Sequence, residues 1–394
     1  MFSSTPPSPA SADQHAGTPW APEPGSGRLW VQYNPPADQW DAFVAAHPSG
    51  HFLQSSAWLE FKARQGGQAL RVGIMRDGQL VAGGGMLLRD LALGWRMAYL
   101  PRGPVCDFAD DAVCWTLRNA LDRAARARRA IALTYEPHQL PSVALAARLT
   151  WLGLRPARPV QPRSTIVVDL TPSPEEIAAR QKHKTRYNTR LSARRGVVVA
   201  QAEDEDEVRA WCDLMAVTAA RDSFAAYPAE YYLEAWRAFH AAGRGTLFLA
   251  RHEGRLLAGI LVTIFGREAI YLYGASGNEE RRLMPNNLLQ WEALLWARDR
   301  GAQSYDMWGI PDTAAPDEPL RGVARFKEGW GGQVARYAGA FDRVYHPLLY
   351  RLHTRALPAA RRLPSRARAL LQRGHAAPAD GHGGDSGEEG SGGE

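Results

Sequence analysis

The sequence predicts a mixed α/β (α+β) protein in which one folding unit is repeated in tandem. Three observations carry this expectation. The 394 residues exceed one average domain and suit two, each with its own core. Along the chain, strand-like apolar runs alternate with helical patterns, which fits neither a helical bundle nor a sandwich. Finally, RDGQLVAGGGMLL at 76 to 88 returns as HEGRLLAGILVTI at 252 to 264, each an acid-Gly turn followed by a strand that keeps an Ala-Gly pair in step.

The acid-Gly pairs, Asp77-Gly78 and Glu253-Gly254, lie 176 residues apart. Each hairpin leads into a further strand, RMAYLPRGPV in one copy and AIYLYGAS in the other. A helix follows, CWTLRNALDRAARARRA or NNLLQWEALLWARDRG, and then a strand, IALTYEP or QSYDMWGIP. One matching turn arises easily by chance, whereas four elements in matching order point to duplication. The expected domains are 29–160 and 161–345, divided in the Pro-rich RPARPVQPRS, with the last strands free to return to the first domain. This order of elements resembles the acyl-CoA N-acyltransferase (GNAT) fold. In that fold, pyrophosphate sits on a glycine-rich turn opening the helix, where bare backbone N–H groups approach it. Here the turn reads RRLMPNN, 281 to 287, with a proline and no glycine. Acetyl-coenzyme A is therefore not expected as a cofactor.

Composition is that of a globular protein, 45% apolar and 22% charged. The formal charge is +6, but the last sixteen residues hold five acids and no Lys or Arg, so the rest of the chain carries +11. Such a surplus favours an anionic partner without identifying one. Cys106, Cys114 and Cys212 have spacings that suit neither a zinc site nor a disulfide framework, and no metal is expected. The first 28 residues read as a disordered leader and residues 375–394 as a disordered acidic tail, because neither buries enough apolar surface to offset ordering entropy. Neither a secretory signal nor a spanning segment is visible, so the expected location is cytoplasmic.

Several stretches are candidates for chemistry. PEEIAARQKHKTRYNTRLSARRG, 174 to 196, reads as one helix capped by Ser173 and ending at Gly196, with Lys182, Arg186, Arg190 and Arg194 in a basic stripe. Like charges at that spacing repel. The stripe is either a solvated face or a phosphate-binding one, to which Lys184, Tyr187 and Arg195 would add donors. In YLPRGPVCD, two prolines bracket Arg102-Gly103 at a strand end, and Asp107 is a candidate general base with no visible partner. Tyr271 and Tyr273 share one strand face by the period-two rule, for packing or for ligand contact. The sharpest candidate is Lys327 in FKEGWGG. Glycines 329, 331 and 332 permit close backbone approach, and Phe326 and Trp330 would exclude water. A lysine there is costly to desolvate unless it meets an anion or a developing negative charge.

Taken together, HFLQSSAWLEFK, YLPRGPVCD, STIVVDLTPSPEEIAARQKHKTRYNTRLSARRGV, YLYGAS, PNNLLQWEALLWARDRGAQSYDMWGI and FKEGWGG resemble the FemA/FemB/FemX/MurM peptidyltransferases over residues 29 to 350. The resemblance implies two GNAT-like domains facing a cleft that binds a muropeptide precursor, either UDP-MurNAc-pentapeptide or lipid II. It implies an aminoacyltransferase that uses aminoacyl-tRNA as co-substrate and builds peptidoglycan bridges. By motif, Lys327 corresponds to the lysine at the reacting centre, Lys62 and Arg186 to groups near the sugar nucleotide diphosphate, and Tyr273 to a substrate-contacting tyrosine. Arg102, Tyr187, Arg190, Tyr271, Phe326 and Trp330 complete the expected substrate-binding set.

No heptad run marks the coiled-coil arm that some members carry. Relatives in exopolysaccharide or envelope assembly make a binding role without tRNA-dependent transfer the alternative. An aminoacyl ester is already activated, so the enzyme needs to position the amine and stabilise an oxyanion, the charge expected of Lys327. The basic surface would hold tRNA phosphates. The segment 346–374 has seven arginines and no acid among its leucines, which suits peripheral contact with the inner membrane surface or with tRNA. A monomer is expected.

Overall fold

In the computed structural model, which describes residues 27–222, 225–312 and 321–356, two seven-stranded sheets lie one to each half of the chain. The first half runs β1 (Leu29–Tyr33), α1 (Ala37–Ala46), α2 (Ser56–Arg64), β2 (Gln68–Arg76), β3 (Gln79–Asp90), β4 (Arg96–Leu100), α3 (Asp111–Ala127), β5 (Ala130–Tyr135), α4 (Val143–Trp151) and β6 (Arg155–Ala157). The second runs β7 (Ser164–Asp169), α5 (Pro174–Arg180), α6 (His183–Arg194), β8 (Val198–Gln201), α7 (Glu205–Asp222), α8 (Ala229–Ala241), β9 (Gly245–His252), β10 (Arg255–Phe265), β11 (Glu268–Ser276), α9 (Pro285–Asp299), β12 (Ser304–Ile310), α10 (Arg321–Glu328) and β13 (Gln333–Arg336). β14 (Ala340–Val344) and α11 (Pro347–Arg351) follow.

The internal repeat is visible in backbone detail. Both acid-Gly turns hold two residues at positive φ, Asp77 and Gly78 at 50° and 80°, Glu253 and Gly254 at 49° and 77°. That pair of angles closes a two-residue hairpin without splaying its strands. Each hairpin then carries the same irregularity: the register slips so that Val81 in β3, and Leu257 in β10, stands without a partner. Both are the third residue of their strand.

The sheet orders are β1-β2-β3-β4-β5-β14-β6 and β13-β7-β12-β11-β10-β9-β8. β14 therefore returns to the first sheet, pairing Phe341 with Tyr135 on one side and with Pro156 on the other. Between β6 and β7 the chain crosses from one sheet to the other.

One apolar cluster belongs to both halves. Phe52, Trp58 and Phe61 from the first pack with Tyr231, Phe239 and Phe265 from the second. Phe52 and Phe239 meet edge to face at 5.0 Å, and Phe61 and Tyr231 do so at 5.0 Å. Buried aromatic pairs of this kind add to the area they remove from water. The three cysteines are free and buried.

The single helix expected over 174–196 is two. Ser173 caps α5 with a reciprocal capping box to Glu176, and the helix stops at Arg180. Gln181 and Lys182 are extended, at ψ 149° and 142°, because the Lys182 N–H bonds to Gly329 O at 2.9 Å instead of continuing the helix. Lys182 thus stands at the N-cap of α6, in a surface ion pair with Glu328, and the continuous stripe is lost. Among the described residues no helix is long and apolar enough to cross a membrane, and none exceeds the 18 residues of α7. Residues 1–26 of the expected leader and the acidic tail lie outside the described residues, as does the basic segment beyond 356.

Because Phe239 bridges the halves, Phe239→Ala is expected to cost about 3–5 kcal/mol in urea unfolding monitored by tryptophan fluorescence.

Candidate functional site

The site begins where one strand pair comes apart. β11 and β12 are parallel but pair only from Glu268 with Ser304 to Ile270 with Asp306. Their counterparts β4 and β5 stay together from Arg96 to Leu100. A bulge in β11 leaves Leu272 without a partner, and β12 loses register with β7 after Asp306. Beyond Asp306 the strands diverge, and backbone carbonyls there are open to side chains.

Lys327 fills that opening. It sits in the last turn of α10, is 5% exposed, donates from Nζ to Gly309 O at 2.8 Å and lies 5.6 Å from the centre of the Tyr271 ring. Burial pushes its pKa down to about 8, while the charge of Asp306 pulls the other way. Asp306 is fully buried. Its Oδ1 accepts from the Thr165 hydroxyl and from the Trp308 N–H, and its Oδ2 has no hydrogen-bond partner among the described residues. Burial raises the pKa of this carboxyl, against the hydrogen bonds from Thr165 and Trp308 and the charges of Arg102 and Lys327.

The residues after Lys327 are held by contacts that tolerate no side chain. A Cβ at Gly329 would stand 2.3 Å from Thr185 Oγ1, and one at Gly331, whose φ is 77°, would stand 2.4 Å from Arg180 O. Trp330, expected as a substrate contact, is instead 1% exposed within the core of Ile166, Leu289 and Met307. Phe326 is half-buried, edge to face with it at 6.1 Å.

Arg102 is also buried, at 1% exposure, in left-handed backbone at φ 52°. Its guanidinium lies 4.3 Å from the Tyr337 ring centre and 5.9 Å from that of Trp308, and donates to Pro162 O at 2.8 Å. It therefore pins the crossover between the sheets and does not line the cleft. Glu136 holds the same crossover by accepting from the Val160 and Gln161 N–H groups. Near Arg102 stands Glu268, whose carboxyl is pushed up by burial and by Asp306, although 19% of its side chain remains open to solvent.

His51, His138 and Glu268 bring one potential ligand atom each within 4.8 Å of one another, the one such trio among the described residues. His51 Nδ1 already accepts the Leu53 N–H at 3.0 Å, so the neutral ring carries its proton on Nε2, the atom facing Glu268 at 3.9 Å. Burial keeps this imidazole neutral. A protonated Nε2 is a poor metal ligand, and here it makes no hydrogen bond among the described residues.

A cavity of about 540 Å³ opens between the halves, lined by Trp58, Lys62, Tyr99, Gln161, Tyr273 and Trp308 among others. Lys62 Nζ lies 4.9 Å from the Tyr231 ring centre and 3.4 Å from its hydroxyl, with Phe61, Trp58 and Tyr227 around it and no carboxylate in ion-pair range among the described residues. Burial lowers its pKa. Tyr273 reaches the same cavity, its hydroxyl 3.1 Å from that of Tyr231. Tyr271 does not. The β11 bulge turns it to the opposite face, beneath Lys327, so the two tyrosines do not share a side as simple alternation predicts.

Arg186 lies away from Lys62, in a second cavity of about 520 Å³ with Glu175, Gln181, Arg190 and Trp291. Its guanidinium donates to Ala179 O at 2.9 Å and to Gln181 O at 2.6 Å, closing the end of α5. Arg190 and Tyr187 are exposed on α6. Asp107 is exposed and accepts from the Ala109 N–H, a local turn that gives no support to a general-base role.

The FemAB family model matches residues 36–146, 144–251 and 246–357. This chain belongs to the FemAB family. It is 27% identical to the lipid II:glycine glycyltransferase of Staphylococcus haemolyticus (strain JCSC1435), over 81% of this chain and 94% of that protein. The enzyme of the same name from Staphylococcus aureus (strain USA300) is 25% identical with the same coverage. A crystal structure of FemX superimposes with a TM-score of 0.77 at 24% identity, over 82% of this chain and 99% of FemX, which shows the two-domain fold to be shared.

Asp306, Glu268, His51 and His138 escaped the sequence analysis. SYDMWGI offered one signal, a lone acid inside an otherwise apolar strand. In a lysine 13C NMR titration, Lys327 is expected to deprotonate near pH 8, and Asp306→Asn to move that midpoint lower by removing the charge that favours the ammonium.

Proposed function

We propose that this protein is an aminoacyltransferase that moves an amino acid from aminoacyl-tRNA to a stem-peptide amine of a peptidoglycan precursor, UDP-MurNAc-pentapeptide or lipid II. The carrying observation is the buried Lys327 ammonium beside Asp306 where β11 and β12 part. The family assignment and the lipid II:glycine glycyltransferase relatives support the substrate class. The interdomain cavity supports an acceptor site. Lys62, cationic and set among aromatic rings, suits a phosphate or pyrophosphate that sheds its water on entry.

In this reading the deprotonated amine attacks the ester carbonyl, and Lys327 faces the oxygen on which negative charge develops. The tetrahedral intermediate collapses to an amide. The ribose oxygen leaves with the proton given up by the amine. No covalent enzyme intermediate is needed, since the ester is already activated. Asp306 holds the proton on Lys327, offsetting the burial that would remove it. The exposed cations of α6, Lys184 and Arg190 among them, suit the tRNA backbone.

Binding of an envelope precursor without tRNA-dependent transfer is the competing reading, and the cavity alone would serve it. Incubating the protein with bulk aminoacyl-tRNA and both precursors, then reading mass additions, separates the two. Absence of any addition with every charged tRNA would favour the binding role.

If Lys327 stabilises the oxyanion, Lys327→Ala lowers kcat about 10²–10³-fold with little change in precursor affinity. Near-wild-type turnover in that variant would remove the assignment. Activity should also fall as pH rises through about 8, because the catalytically useful form is the protonated one, and Asp306→Asn should bring that decline to lower pH.

A further inference from the structure

Leu93 occupies the tip of the connection between β3 and β4, is 86% exposed, and holds left-handed backbone at φ 58°. That conformation is unfavourable for a bulky side chain, and here no packing compensates it. Its surroundings form one surface. Arg129 donates from Nη2 to Leu93 O at 3.3 Å and lies 4.9 Å from the Trp95 ring centre. The Trp95 ring meets that of His346 at 4.7 Å, and Arg89 Nη2 stands 3.4 Å from His353 Nε2. These contacts join the hairpin tip to α11 and the turn after it, which direct Leu348 and Leu352 outward at 80% and 53% exposure.

The resulting patch is apolar at its centre and cationic at its edge, with Arg89, Arg129 and Arg351 all exposed. Asp90, the carboxylate of the hairpin, is taken up by Arg96 at 2.7 Å. Residues 357–374 continue from this point with five more arginines and no acid.

We propose that this patch docks on an anionic lipid bilayer, with Leu93, Leu348 and Leu352 entering the headgroup boundary and the arginines meeting lipid phosphates. Charge complementarity favours that occupant, since Arg89, Arg129 and Arg351 are exposed on the rim and the hairpin's carboxylate, Asp90, is already paired with Arg96. Shape favours it too, because a protruding leucine tip displaces lipid headgroups readily and has no matching hollow in a flat protein face. Arg89 and Met97 also line the cavity that holds Lys62, so docking brings the rim of the acceptor site to the lipid surface. The idea extends the reading of a lipid-linked acceptor, but its test needs no turnover and stands or falls separately from it.

The full chain is floated with vesicles of phosphatidylcholine alone and of phosphatidylcholine mixed with phosphatidylglycerol. The wild type is expected to partition to the mixed vesicles, less so at high salt, and hardly to the neutral ones. Leu93→Asp with Leu348→Asp should lower the partition coefficient about tenfold or more, with an unchanged melting temperature. A second full-length variant, with Arg361, Arg362, Arg366, Arg368 and Arg373 changed to Gln, should keep a patch-dependent share of the binding. Wild-type partitioning by the double leucine variant overturns the proposal, as does binding that is absent or equal on both vesicles. So does complete loss in the five-arginine variant, or a dimer that only the leucine variant dissociates, which would assign the surface to a second copy.

Discussion

The centre of the molecule depends on keeping one ammonium group away from water while a carboxylate stands near enough to favour its charge. Lys327 would shed its proton readily in so dry a place without Asp306, and Asp306 would be costly to bury charged without Lys327 and Arg102. Both side chains come from the second half of the chain, but the walls around them do not. Arg102 arrives from the first sheet, and the crossover it grips closes the junction. The aromatic cluster shared by the two halves then fixes the distance between the walls.

Duplication explains the scaffold, and divergence between the copies explains the site. Both units keep the same turn and the same slip in register, which shows how closely the backbone has been retained. They differ at the parallel pair that follows. In the first unit that pair stays in register from Met97 to Leu100, with core under one face and Met97, Tyr99 and Thr134 lining the interdomain cavity on the other. In the second, the bulge in β11 and the irregular end of β12 open a gap in which a charged group reaches a backbone carbonyl. One copy thus supplies a wall and the other the buried Lys327 and Asp306.

The fold was largely legible in the sequence because its signals are local: the acid-Gly turns, the alternating strands and the helix cap at Ser173 each act within a few residues. Lys327 was legible because glycines and aromatics flank it on the chain. What escaped depends on distant partners. The break between α5 and α6 is imposed by Gly329, some 150 residues further on, and no helix propensity around Gln181 announces it. The opposite facing of Tyr271 and Tyr273 comes from one extra residue in the ladder, which a period of two cannot foresee. Arg186 reads as a phosphate ligand until the carbonyls at the end of α5 are seen to claim it. Glu268 and His51 look like turn residues until the halves meet.

The return of β14 to the first sheet has a consequence for biosynthesis. Until residues 340–344 leave the ribosome, β5 and β6 have no strand between them, and the nascent amino-terminal half carries open backbone edges through most of translation. Such edges invite pairing with other chains. The order in which this protein is made is thus opposite to the order in which its first sheet can be finished, and a holding chaperone has its longest task there.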